Sequence, residues 1–215
     1  MVTYYGIFSL LTAIISLAIG IFVYSKGRKR VVNVSWALLN LSVAIWSFST
    51  FMLTIAGTKE NGLFWCRALH GGAILIPGFF LHFVLALLED IKKKILFFVY
   101  TVTGVILGLD FTSWIIKDAL PKITFKYYPE AGSLHFLFLC LFFGASGYAI
   151  YQLVKAIKTS TSYRRNQLRY VILASFIGFS GGATNYPLIY NIPMFPFGHY
   201  LVFLYPVIIT YAIDR

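Results

Sequence analysis

The run LFWCRALHGGAILIPGFFLHFVLALL, residues 63–88, is long enough to cross a bilayer yet carries Arg67, His70, Pro77 and His82. About 20 apolar residues in a helix span the hydrocarbon, and an ionisable side chain there costs several kcal/mol unless it faces protein or water. This helix therefore belongs inside a bundle. At about 100° per residue, Arg67, His70, Gly71, Gly78 and His82 share roughly a third of its circumference. The polar and small positions form one stripe, which should face the protein axis.

Composition extends this to the whole chain. With 59% hydrophobic, 19% aromatic and 12% charged residues, the sequence is far from a soluble domain, where about a quarter of residues are charged. It reads as an all-α integral membrane protein, a single seven-helix transmembrane domain filling residues 1–215 with no room for a soluble domain. The net charge of +11 does not point to nucleic acid, because the basic residues sit in the gaps between apolar runs, where topology explains them.

Seven spans are expected, at about 4–24, 33–56, 63–88, 95–116, 134–157, 167–190 and 195–213. The first has no basic residue before it and Lys26, Arg28, Lys29 and Arg30 after it, the reverse of a signal peptide. The second carries Asn33, Asn40, Ser47 and Thr54 at seven-residue spacing, a polar seam suited to helix packing in lipid. Trp36 reads as part of an interfacial belt, Trp46 as packed core or pocket wall. Between the fourth and fifth spans, residues 123–128 alternate with period two and precede the turn signal Pro129-Glu130-Ala131-Gly132, so a strand or hairpin is expected there. Thirteen basic residues fall on one side of this path and five on the other. The positive-inside bias then puts the N-terminus outside and the C-terminus in the cytoplasm.

Polar residues gather in the outer half: Arg67 and His70 on the third helix, Asp110 on the fourth, His135 on the fifth, Asn185 on the sixth and His199 on the seventh. At about 1.5 Å per residue, Arg67 and His70 lie roughly 6 to 11 Å below the point where their helix enters. A concave pocket is expected there, with Trp65, Phe79, Trp114, Phe136 and Tyr186 as walls and Arg67 meeting an anionic or hydrogen-bond-accepting headgroup. The alternative is that Arg67 pairs with Asp110 or snorkels to the interface and the histidines are interfacial. His82 reads as a packed residue bonded to a carbonyl, and Cys66 and Cys140 as small hydrophobes. No zinc-ligand spacing occurs, so neither a metal nor a cofactor is expected.

Gly144-Ala145-Ser146-Gly147 resembles the nucleophile motif of rhomboid intramembrane proteases. Ser146 lies about a dozen residues, or roughly 18 Å, below the helix end near which His135 and His199 sit. Close packing by small residues explains the string better. No lysine in the seventh helix offers a Schiff base. A transporter or channel stays open, although the two halves show no inverted repeat.

Arg164 to Tyr170 (RRNQLRY) entering a glycine-rich helix, Asn185-Tyr186-Pro187, Pro196-Phe197-Gly198 and Tyr211-Ala212-Ile213 together resemble the N-terminal seven-helix sensor module of bacterial membrane histidine kinases. Ala44-Ile45-Trp46-Ser47, Phe64-Trp65, Pro77 and Phe83 agree with it. The resemblance implies a multi-pass input module in the bacterial inner membrane, not itself an enzyme, continuing naturally into PAS, dimerisation and kinase domains and acting as a homodimer. A small amphipathic molecule or lipid suits an aromatic pocket with one cation. Gly181, Gly182, Pro187 and Pro206 are the expected elements of transmission to the last helix.

Overall fold

A computed structural model describes residues 3–214, the Asp214 side chain excepted. Helix α1 (Tyr4–Lys26), α2 (Val31–Thr54) and α3 (Lys59–Leu87) follow one another through short turns. Thr3 and Thr58 cap the first and third, each hydroxyl accepting a backbone N–H three residues on. α4 (Lys93–Asp110) leads to an antiparallel hairpin, β1 (Ile116–Lys122) and β2 (Phe125–Ala131). α5 (His135–Thr159), α6 (Ser162–Ala183), the single turn α7 (Tyr186–Ile189), a 3₁₀ turn (Phe197–Leu201) and α8 (Leu204–Asp214) complete the chain.

Among the described residues four helices are long and apolar enough to cross a membrane: α1, α2, α3 and α5. α3 is the centre of the bundle, with 72% of its apolar window buried against 39% for α1, and it packs on α2, α4, α5 and the hairpin. Gly72 makes the α2–α3 contact close, since a Cβ there would stand 2.6 Å from the Trp46 backbone nitrogen. The polar seam of α2 turns to α1, where Asn33 Nδ2 donates to the Val23 carbonyl and Asn40 and Ser47 are buried. Trp36 is no belt residue: it is fully buried and its Nε1 donates to Thr210 Oγ1 of α8 at 3.1 Å.

Three boundaries depart from the hydropathy pattern. α4 stops at Asp110, short of Ile116, because Ile115 and Ile116, the latter opening β1, are apolar for burial against protein and not for contact with lipid. α6 stops at Ala183, short of Tyr190, because Pro187 has no N–H to give the Ala183 carbonyl; the chain resumes as α7. The last run opens as a 3₁₀ turn and becomes α-helical at Leu204, which places Pro206 in a first turn, where its missing donor is harmless. The hairpin turns at Ile123-Thr124, while Pro129 and Ala131 pair within β2 with Ala119 and Ile116. Arg215, counted above among the basic residues, lies outside the described residues.

The hairpin lies across one end of the bundle, and the basic connections Lys26–Arg30, Lys92–Lys94 and Lys158–Arg165 lie at the opposite end.

Candidate ligand cavity beneath the hairpin

Every helix except α4 contributes to a cavity inside the bundle, and β2 covers it. With its mouth included, its space is about 840 Å³, of which about 60 Å³ admits the centre of a water molecule. Little of it is wide enough for water. Trp46, Phe138, Phe142, Phe179 and Tyr186 supply aromatic walls; Leu53, Leu69, Ile76 and Val202 fill between them. Phe125, Tyr128 and Pro129 of β2 close the hairpin end.

The polar groups at the rim serve one another. Asn185 Oδ1 accepts from Tyr5 Oη at 2.8 Å and from Tyr128 Oη at 2.9 Å, joining α1, β2 and the α6–α7 break. Among the described residues, two buried side-chain atoms on the cavity lining have no partner: His70 Nδ1 and Tyr205 Oη, on residues 1% and 2% exposed. Ala73, also at the wall, has a carbonyl without its usual helical donor, because that donor would be Pro77. His70 Nε2 meets His135 Nε2 at 2.8 Å, and His135 Nδ1 meets Tyr190 Oη at 2.8 Å.

Lys122 anchors the cover. The residue is 8% exposed, and its ammonium donates to the carbonyls of Pro129, Leu188 and Ile189 at 3.0, 3.0 and 3.1 Å. Burial holds it below the usual lysine range, against the opposing pull of Glu130. At the hairpin's edge Lys59 Nζ donates to Asp118 Oδ2 at 2.6 Å, a bond that keeps the Asp118 carboxyl below its ordinary range.

Of the residues expected at a pocket, His70, Asn185 and Tyr186 line this cavity, and His135 reaches it through His70; Gly182, expected in transmission, lines it too. His199 is buried just behind the wall, with Nε2 2.8 Å from Ser9 Oγ and its ring between Tyr5 and Trp46. Trp65 is placed elsewhere, its ring against Phe48 and Phe64, because its position on α3 faces away from the axis. Arg67 and Asp110 are also outside the cavity. Arg67 is the charge acting on the Asp110 carboxyl, yet among the described residues they form no ion pair within 4.0 Å, and Arg67 Nε and Asp110 Oδ1 are buried without partners. Of the other expected walls, Phe79 packs on Tyr100, and Trp114 and Phe136 are more than half exposed. His82 Nδ1 meets Tyr100 Oη at 2.7 Å, in place of a carbonyl.

Gly181 and Gly182 do different things. A Cβ on Gly181 would lie 2.6 Å from the Gly198 carbonyl oxygen, so this glycine lets α6 touch the 3₁₀ turn; one on Gly182 would meet nothing within 4 Å. Pro187 ends α6, and Pro206 begins α8.

Sequence reasoning passed over Tyr5, Tyr128, Tyr190 and Tyr205, and counted Lys122 as a loop charge. Spacing within one helix carries no sign of a contact between helices. Ser146 Oγ is buried without a partner while His135 and His199 are bonded elsewhere, so no nucleophile–base pair forms. Both cysteines are free. Among the described residues no cluster of three or more His, Cys, Asp or Glu could hold a metal.

A family model described as the N-terminal 7TM region of histidine kinase matches residues 8–213. No curated protein and no solved structure shows significant similarity to the chain.

Proposed function

Because the chain belongs to the family of N-terminal seven-transmembrane regions of histidine kinases, a multi-pass membrane region that is not itself catalytic, we propose that it is the ligand-sensing input of such a kinase. A small amphipathic or lipid-like molecule occupies the cavity beneath the hairpin. The hairpin end faces outward, the basic end faces the cytoplasm of a bacterium, and α8 continues into the output domains of a homodimer.

One observation carries this reading: the cavity abuts the interrupted segment between α6 and α8. A ligand shifts an equilibrium only by binding one arrangement better than another, and an occupant here touches Gly182, Asn185 and Tyr186 on one side of that break and Val202 and Tyr205 on the other. At the opposite end, Gln167 Nε2 donates to the Ala212 carbonyl at 2.8 Å, so α6 and α8 are joined again where the chain leaves the membrane.

The test uses a ten-carbon alcohol, decanol, as probe. A receptor predicts that decanol raises the thermal stability of the wild type, that Gly182→Leu, which grows into the open cavity, abolishes the effect, and that proteoliposomes show no protein-dependent flux. Uptake by the wild type that is lost in Gly182→Leu would instead establish a transporter.

A further inference from the structure

The histidine pair is more than the packing requires. His70 Nε2 and His135 Nε2 lie 2.8 Å apart, so one ring must donate and the other accept. His135 Nδ1 lies 2.8 Å from Tyr190 Oη. His70 Nδ1 is buried without a partner on a cavity-lining residue. Tyr190 borders a separate open cleft at the hairpin end, together with Lys117 and Glu130. The three side chains thus form a continuous chain of hydrogen bonds from a residue that lines the cavity to one that borders the cleft.

That chain has two neutral arrangements. In one, Tyr190 donates to His135, His135 donates to His70, and His70 shows an N–H to the cavity. In the other every bond is reversed and His70 shows a lone pair. The pair can also hold one extra proton, as an imidazolium donating to a neutral imidazole, but not two, which would set N–H against N–H.

Charges elsewhere at the site restrict the choice of ligand. No Asp, Glu, Lys or Arg lines the cavity, so a cationic head would find no counter-ion. A buried carboxylate without a cation costs several kcal/mol, and among the lining groups only the histidine pair can supply one. The other titratable groups facing the cavity are phenols: Tyr5 of α1, Tyr128 of β2, Tyr186 of α7 and Tyr205 of α8. Arg67 lies one turn from His70 on α3, and Asp110 of α4 faces Gly71; neither reaches the cavity. Cys140 of α5 acts on Tyr190. α2 and α6 present no titratable side chain to the cavity.

Building on the reading that this cavity is the ligand site, we propose that its ligand is a monoanionic amphiphile whose carboxylate-type head accepts from His70 Nδ1–H, and that one proton enters with it from the cleft through Tyr190 and His135. Tyr190 passes its hydroxyl proton to His135 Nδ1 and takes one from a hydronium ion in the cleft, leaving water. His135 becomes an imidazolium, and its Nε2–H shares the charge with His70. Only O–H and N–H bonds form and break.

Calorimetric titration of decanoate and of decanol, with the protein in lipid nanodiscs and two buffers of different protonation enthalpy, tests this. Wild type should take up about one proton per decanoate near neutral pH, so that affinity rises about tenfold for each unit the pH falls; decanol should take up none. His135→Phe should abolish the uptake and weaken decanoate while decanol still binds, which shows the cavity intact. Tyr190→Phe should keep the proton count and slow the uptake seen by an indicator dye. Decanoate binding to wild type without proton uptake, or with the same uptake in His135→Phe, overturns the relay while decanol binding leaves the cavity reading standing. Failure of both probes to bind overturns the two together.

Discussion

Lys122 Nζ lies 3.0 Å from the Leu188 carbonyl oxygen, a bond that ties the hairpin to the one-turn helix α7. The carbonyls of Ile189, also in α7, and of Pro129 share the ammonium, so the cover of the cavity is fastened to the chain just after the break in α6. Lys122→Met keeps the stem and removes the donors, taking the ammonium from the Pro129 and Ile189 carbonyls and leaving Leu188 with the Asn191 N–H. We expect a loss of about 1–3 kcal/mol and faster amide exchange confined to β1, β2 and α7. Unchanged exchange there would mean that the lysine fastens nothing.

Acid should loosen the hairpin at a second place. The Lys59 bond keeps the Asp118 carboxyl below its ordinary range, so its contribution is complete above about pH 4 and disappears as pH falls through the lower folded-state value. The side chains are 53% and 28% exposed, and solvent screening limits the effect to a few tenths of a kcal/mol, roughly 0.3. Asp118→Asn should show the acid-form exchange rate of β1 at neutral pH and no further change on acidification.

Two glycines of α6 should respond oppositely to one methyl group. A Cβ on Gly178 would stand 2.7 Å from the Tyr205 ring, whereas Gly182 faces open space. Gly178→Ala should destabilise by about 1–3 kcal/mol through overpacking. Gly182→Ala should be neutral or stabilising by up to about 1 kcal/mol, since alanine favours the helix. Thermal unfolding in detergent separates the two.

The exit of α8 is held by a small polar cluster. Gln167 donates to the Ala212 carbonyl, and Arg164 bonds both Gln167 and the Leu87 carbonyl of α3. Gln167→Leu removes the link between α6 and α8, worth about 1 kcal/mol or roughly fivefold in an equilibrium. In the full kinase we expect basal autophosphorylation to change by about that factor and the response to decanol to flatten. A variant indistinguishable from wild type would free α8 from this cluster.

The helical plan was legible because lipid-length apolar runs separated by basic clusters admit few other folds. Hydropathy fails where it cannot tell lipid from protein: Ile115 and Ile116 look like the end of a span and are buried against protein. Charge counting fails in the same way at Lys122, which backbone carbonyls satisfy inside the protein. The site was half visible. His70 and Asn185 could be named from their depth, but Trp65 could not be excluded and Tyr190 could not be found, because both depend on rotation and register between helices. The proline at 187 did announce the break in α6, since its missing N–H acts wherever the helix is placed.

On the proposed reading, filling the cavity moves the last helix relative to the rest of the bundle. Spin labels on Thr159→Cys at the end of α5 and Tyr211→Cys on α8, with Cys66 and Cys140 replaced by alanine, report that distance by pulsed electron resonance. We predict a shift of about 1–2 Å, the scale of helix displacements in switching proteins, when decanol saturates the protein, and none in Gly182→Leu. An unchanged distance in wild type with decanol demonstrably bound would contradict the account.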